Sequence, residues 1–160
     1  FVEIEGGLKL RGSIDVVEKN GHGELRATDY KTGKVRGKVG MRIGGGETLQ
    51  PVLYALALEK LLPAEKPIGG RLYYCTAAGA YTEIDVPLDA EAREGVQAII
   101  KTVNDAFANG FLPAAPNPDP KKYGCDYCDF LPICGPYEVQ RTKKKNQKEL
   151  GPLFQIRGRR

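Results

Sequence analysis

Leu25-Arg26-Ala27-Thr28-Asp29-Tyr30-Lys31 reads as a strand, and its last three residues decide the fold. Side chains alternate along a strand with period two, so Asp29 and Lys31 point to one side. A carboxylate able to bind a hard cation then stands beside a fixed ammonium, which suits Mg²⁺-assisted cleavage of a phosphodiester. Upstream, Leu8 to Val17 also alternates like a strand, with apolar Leu8, Leu10, Ile14 and Val16. Asn20-Gly21-His22-Gly23 between the two is a turn signal. In an antiparallel hairpin facing residues share a side, and their positions sum to a constant. Asp15 faces Asp29 when that sum is 44, which requires a loop of odd length or a bulge.

Mg²⁺ keeps several waters, so two carboxylates and a carbonyl can hold it. Asp15 and Asp29 supply the carboxylates and the Tyr30 carbonyl is a candidate third oxygen. Lys31 then orients the attacking water or stabilises charge on the phosphorus oxygens. The glycine-rich, basic stretch from Thr32 to Gly46 is expected to be a mobile loop. It lacks the Gly-x-x-x-x-Gly-Lys-Ser/Thr pattern of a nucleotide-phosphate loop. Thr48 is expected to cap a helix running to about Leu62, with Pro51 in its first turn and Leu49, Leu53, Leu56, Ala57 and Leu61 as its apolar stripe. Gln50 and Tyr54 lie one turn apart, placed to hold a nucleic-acid backbone or Lys31 itself.

Arg71 to Thr76 and Tyr81 to Val86 read as a second hairpin around Ala78-Gly79. Asp89 caps a long helix carrying Val96, Ile99, Ile100, Val103 and Phe107, and Gly110 ends it. Residues 112–124 hold four prolines and read as an irregular connector, and 135–149 as a basic helix. The order of strands, helix, strands and helix implies a mixed α/β fold, a small mixed sheet flanked by helices. We divide the chain into a core over 1–112 and a cysteine-rich, basic segment over 113–160.

With 41% hydrophobic and 28% charged residues, the composition is that of a globular protein. No apolar run is long enough to span a membrane and no signal peptide is visible, so a cytoplasmic setting is expected. The first residue is Phe1, and Phe1 to Glu5 already alternate like a strand. The chain therefore reads as a piece of a longer protein. Its net charge of +4 is uneven: residues 141–160 hold eight basic side chains against Glu149, a net +7, leaving −3 on the first 140. Lys34, Arg36, Lys38 and Arg42 form a second basic stretch. Basic segments beside such a site point to nucleic acid, although a solvated helix face and a frayed tail would give the same charge pattern.

Cys125-x-x-Cys128-x5-Cys134 places three thiols within ten positions, which favours a metal over disulfides. Three is one short of a closed zinc site or a four-iron cluster. Cys75, in the apolar run Leu72-Tyr73-Tyr74-Cys75, suits a buried inert thiol better than a fourth ligand.

Gly12-Ser13-Ile14-Asp15, Asp29-Tyr30-Lys31-Thr32-Gly33 and Gln50-Pro51-Val52-Leu53-Tyr54 follow one another as do the motifs of the PD-(D/E)xK nuclease superfamily, in its RecB-like branch. The sequence resembles that branch over essentially its whole length. The resemblance implies a restriction-endonuclease-like core with a central mixed sheet. It also implies metal-bound Asp15 and Asp29, catalytic Lys31, supporting Gln50 and Tyr54, and Mg²⁺ or Mn²⁺ as the metal. AddB-type helicase–nuclease subunits and related CRISPR-adaptation nucleases carry a similar cysteine trio with a fourth cysteine upstream. The likeness therefore implies a [4Fe–4S] cluster on Cys125, Cys128 and Cys134, with the fourth ligand outside this chain. Many members add a His or Glu metal ligand from an upstream helix; His22, in the turn, is no replacement. An isolated piece is thus expected to cleave weakly or not at all. The implied setting is a bacterial helicase–nuclease that processes DNA breaks with a partner subunit. The alternatives are a non-cleaving DNA-binding scaffold and a stand-alone adaptation exonuclease.

Overall fold

The computed structural model describes residues 1–117, 125 and 128–160. Strands β1 (Val2–Glu3) and β2 (Lys9–Leu10) form a small antiparallel ribbon. Residues 11–15 belong to no strand, and the chain resumes pairing in β3 (Val16–Lys19). The single strand expected over 8–17 is therefore two. Leu10 turns back onto Val2 while Val16 pairs with Thr28, so the two halves answer to different partners and the chain must bend between them.

The β3–β4 hairpin has the expected register. β4 (Glu24–Lys31) pairs with β3 from Val16↔Thr28 to Lys19↔Leu25, each pair summing to 44. The turn sets this register. Asn20 Oδ1 accepts from the N–H groups of His22 and Glu24, both at 2.9 Å, and Gly23 adopts φ +79°. This is an odd, three-residue loop closed by a left-handed glycine.

Helix α1 (Gln50–Leu61) then crosses over to β5 (Lys66–Tyr74), which runs parallel to β4. β6 (Glu83–Pro87) returns antiparallel to β5, and the sheet order is β3-β4-β5-β6. β5 starts five residues before the expected Arg71. Glycines and prolines are depleted in strands, so Lys66-Pro67-Ile68-Gly69-Gly70 gave no strand signal. Gly70 has a packing reason: a Cβ there would lie 2.4 Å from the carbonyl oxygen of Pro51, so α1 rests on the bare β5 backbone. The α1 N-cap is Leu49, without a side-chain hydrogen bond, rather than Thr48.

Helix α2 (Ala90–Ala108) begins as expected, with Asp89 accepting from the Ala92 N–H at 2.9 Å. Val52 and Leu56 of α1, Leu72, Ile84 and Val86 of the sheet, and Val96 and Ile100 of α2 make one core. The expected stripes stop short of the helix ends: Leu61, Val103 and Phe107 are exposed. The opposite sheet face is ionic. Arg26 bridges Glu18 and Asp85, and Arg71 bridges Asp85 and Glu83. Helices thus cover one face of a four-stranded mixed sheet, a restriction-endonuclease-like α/β arrangement.

The stretch after β4 is pinned at several points. Tyr74 Oη accepts from the N–H groups of Arg36 and Gly37, and Met41 and Ile43 are buried. The basic helix expected over 135–149 is instead interrupted. After α3 (Leu131–Cys134), α4 (Glu138–Thr142) ends, and Asn146 caps a new helix, α5 (Gln147–Arg157). The tail is tied down, because the Ile43 and Gly45 N–H groups donate to the carbonyls of Arg160 and Arg159 at 2.8 and 2.9 Å. Among the described residues no helix is long and apolar enough to cross a membrane.

Candidate active site

Residues 25, 27, 29 and 31 of β4 face α1. Leu25 and Ala27 pack with Leu58, Ile14 and Tyr54, so the apolar half of the face anchors the strand beneath the helix. Farther along the same face the chemistry changes to Asp29 and Lys31. Asp29 is 5% exposed, and its Oδ2 lies 2.6 Å from Lys31 Nζ. That oxygen has an ion-pair neighbour but no aligned hydrogen bond. A buried carboxylate oxygen without a hydrogen bond is costly unless another group completes it. It is therefore a suitable ligand for a hard cation.

Asp15, in the bend just before β3, reaches the neighbouring residue of β4. Its Oδ2 accepts from the Tyr30 N–H at 3.0 Å. Because N–H and C=O of one strand residue project to the same flank, the Tyr30 carbonyl also points towards Asp15. Two carboxylates and one carbonyl thus border one corner of the hairpin, the oxygen set that a Mg²⁺-type ion accepts alongside water and substrate. Among the described residues no three His, Cys, Asp or Glu side chains gather into a metal-holding group. Two carboxylates and a carbonyl would leave the other positions of a Mg²⁺-type shell to water.

Lys31 is held from two sides. Besides its ion pair with Asp29 it donates to Gln50 Oε1 at 2.7 Å, and Gln50 Nε2 donates to Tyr54 Oη at 3.3 Å. Tyr54 is in turn partly buried in the small apolar cluster. The helix therefore fixes the ammonium through an amide clamp, and an ammonium with three donors keeps N–H groups for a water or a phosphate oxygen. The structure brings Asp15, Asp29, Tyr30, Lys31, Gln50 and Tyr54 together.

The cysteine segment is less closely gathered. Cys125 and Cys134 are half-buried, Cys128 is exposed, and all are free thiols. Cys134 Sγ accepts from Arg141 at 3.3 Å. Cys75 is not sealed in the core: its thiol lies 3.7 Å from the Lys31 carbonyl, which also accepts the Cys75 N–H at 3.0 Å. Tyr74 was missed as a site-supporting residue. The available signal was a phenol in an apolar strand, since a buried Tyr needs a polar partner.

The PD-(D/E)XK nuclease superfamily profile matches residues 1–135, and the chain belongs to this superfamily. Among curated proteins it is similar to the Gene 69 protein of Mycobacterium phage D29, at 30% identity over 137 residues, 84% of this chain and 46% of that protein. The Gene 69 protein of Mycobacterium phage L5 is 29% identical over 135 residues, 83% of this chain and 41% of the relative. The chain thus spans less than half the length of these relatives.

Proposed function

We propose that this chain is a divalent-metal-dependent DNA nuclease domain that hydrolyses phosphodiesters at the corner formed by Asp15, Asp29 and Lys31. The observation that carries the reading is the Lys31 ammonium held between the buried Asp29 carboxylate and the Gln50 amide. A scaffold has no need of a cation fixed against a carboxylate that lacks a hydrogen bond. Asp15, Asp29 and the Tyr30 carbonyl are the residues that would hold Mg²⁺ or Mn²⁺, which supplies an activated water and charge neutralisation when bound. Lys31 orients that water or a phosphate oxygen with a free N–H. Gln50 and Tyr54 keep it from swinging into solvent.

The motif order further supports a RecB-like role: exonucleolytic processing of DNA ends in repair and recombination, with a helicase–nuclease partner in the cytoplasm. The cysteine spacing supports a [4Fe–4S] cluster on Cys125, Cys128, Cys134 and a further thiolate. Iron and sulfide assays on the longer protein that both return zero would remove the cluster.

Lys31→Ala in the full-length protein tests the enzyme reading. The expected result is lost cleavage with retained DNA binding. Absence of cleavage by the unaltered protein with every divalent cation tried would favour the non-cleaving scaffold.

A further inference from the structure

Two cavities share a wall. One, of about 850 Å³, contains Lys31 and Gln50; Arg36, Glu47 and Thr48 line it and also line a second cavity of about 370 Å³. The far wall of the second is the end of the chain, Arg157 to Arg160. The wall is built in: besides the two backbone hydrogen bonds from Ile43 and Gly45, Gly45 sits so close that a Cβ would lie 2.9 Å from the Arg157 carbonyl.

The cations here fall into two groups. Arg42 pairs with Asp89 at the start of α2, and Arg160 pairs with Glu91, so both charges are already occupied by carboxylates. Arg157 donates to the carbonyls of Ala115 and Pro116, and Glu47 acts on it electrostatically. Arg36, Lys38 and Arg159 are exposed and have no acidic partner among the described residues. Most arginines of the sheet and helices, Arg26, Arg71 and Arg93 among them, are instead neutralised by carboxylates. Unpaired positive charge therefore runs along one trough, from the catalytic lysine to the chain's end. A single small anion would be met by donors converging on one point; cations spaced along a trough match a polyanion.

We infer that this trough binds the sugar–phosphate backbone of the nucleic-acid strand beyond the scissile phosphate, with Arg36 at the junction and Lys38 and Arg159 as outer contacts. The inference rests on the nuclease reading and adds to it the path of the strand and the role of the carboxy-terminal segment.

The test measures binding of a fluorescein-labelled single-stranded oligonucleotide in EDTA across a salt series, for the unaltered protein and the double variant Lys38→Gln/Arg159→Gln. Each lost phosphate contact makes the log K against log salt slope shallower by about 0.7, so the double variant should lose about 1.4. Arg159→Lys should restore its share, and Lys60→Gln, an exposed cation on α1, should leave the slope unchanged. Thermal melting checks folding; if the double variant does not fold, the two single variants carry the measurement. A double variant, or two single variants, with the unaltered slope would overturn the trough.

Cleavage of bis(p-nitrophenyl) phosphate, too short to reach the trough, tests the nuclease reading separately. Cleavage with an unchanged slope removes the trough and leaves the nuclease. A shallower slope without diester cleavage removes the nuclease and leaves strand binding.

Discussion

Gly70→Ala tests how directly the fold positions the chemistry. The new Cβ would stand 2.4 Å from the Pro51 carbonyl oxygen and 2.6 Å from its Cα. Ordinary contact begins at 3.4 Å, so α1 must retreat from β5 by about 1 Å. Both atoms are backbone, and no rotamer change relieves them. Overpacking of this kind costs about 1–3 kcal/mol. Gln50 precedes Pro51, so it moves with the helix while Lys31 stays on the sheet. A 1 Å retreat along their 2.7 Å hydrogen bond takes it to about 3.7 Å, outside bonding range. A misplacement of that size at a reacting group costs about 100-fold in rate. Urea unfolding followed by circular dichroism, with metal-dependent cleavage per folded molecule, reads both effects. Unaltered midpoint and rate would refute the claim that α1 rests on the β5 backbone. A lowered midpoint with an unaltered rate would refute the role of the Gln50 clamp.

Asp15→Asn keeps an oxygen for the Tyr30 N–H but removes a charge, so the unfolding midpoint should hold while metal-dependent cleavage falls by about 100-fold. Asp15→Ala should in addition lose about 1 kcal/mol of stability, measured by the same urea titration. Tyr74→Phe strands the N–H groups of Arg36 and Gly37, and should cost about 1–3 kcal/mol and speed protease nicking between residues 32 and 43. The Arg42 guanidinium, aided by the Ala92 N–H, holds the Asp89 carboxyl below its ordinary 3.8. A depressed carboxyl adds stability above its unfolded value and loses it as pH falls through the folded one. Melting temperatures from pH 5 downward should therefore drop less steeply in Asp89→Asn, which loses about 1 kcal/mol at neutral pH.

What could be read from the sequence was local and chemical. The sum of 44 was legible as the condition for Asp15 to face Asp29, and the turn built on Asn20 and Gly23 meets it. The Gln50 and Tyr54 pairing followed from helical spacing. What could not be read depended on distant partners. The stretch from Leu8 to Val17 alternates throughout, and only the separate pairings of β1 and β4 divide it. The early start of β5 was hidden by Gly69 and Gly70, which the close approach of backbone and helix requires. The break at Asn146 had a signal, since Asn146 accepts from the Lys148 and Glu149 N–H groups and binds the Glu149 carboxylate. The lysine run before it masked that cap. The tail's docking on Ile43 and Gly45 is made of backbone hydrogen bonds, which no side-chain pattern records.

The bend at residues 11–15 has one further consequence. A β3 extending back to Leu8 would have sealed the flank of β4 with main chain, and the Tyr30 oxygen would have been consumed in a ladder. The strand instead begins at Val16, and beyond it the Tyr30 N–H is met by the Asp15 side chain rather than by a ladder. A ladder must be unzipped to admit anything, whereas a single carboxylate can release its amide by rotating. Under the nuclease reading the Asp15 carboxylate would serve as a latch, giving up one N–H to face a cation without disturbing the sheet that carries Asp29 and Lys31.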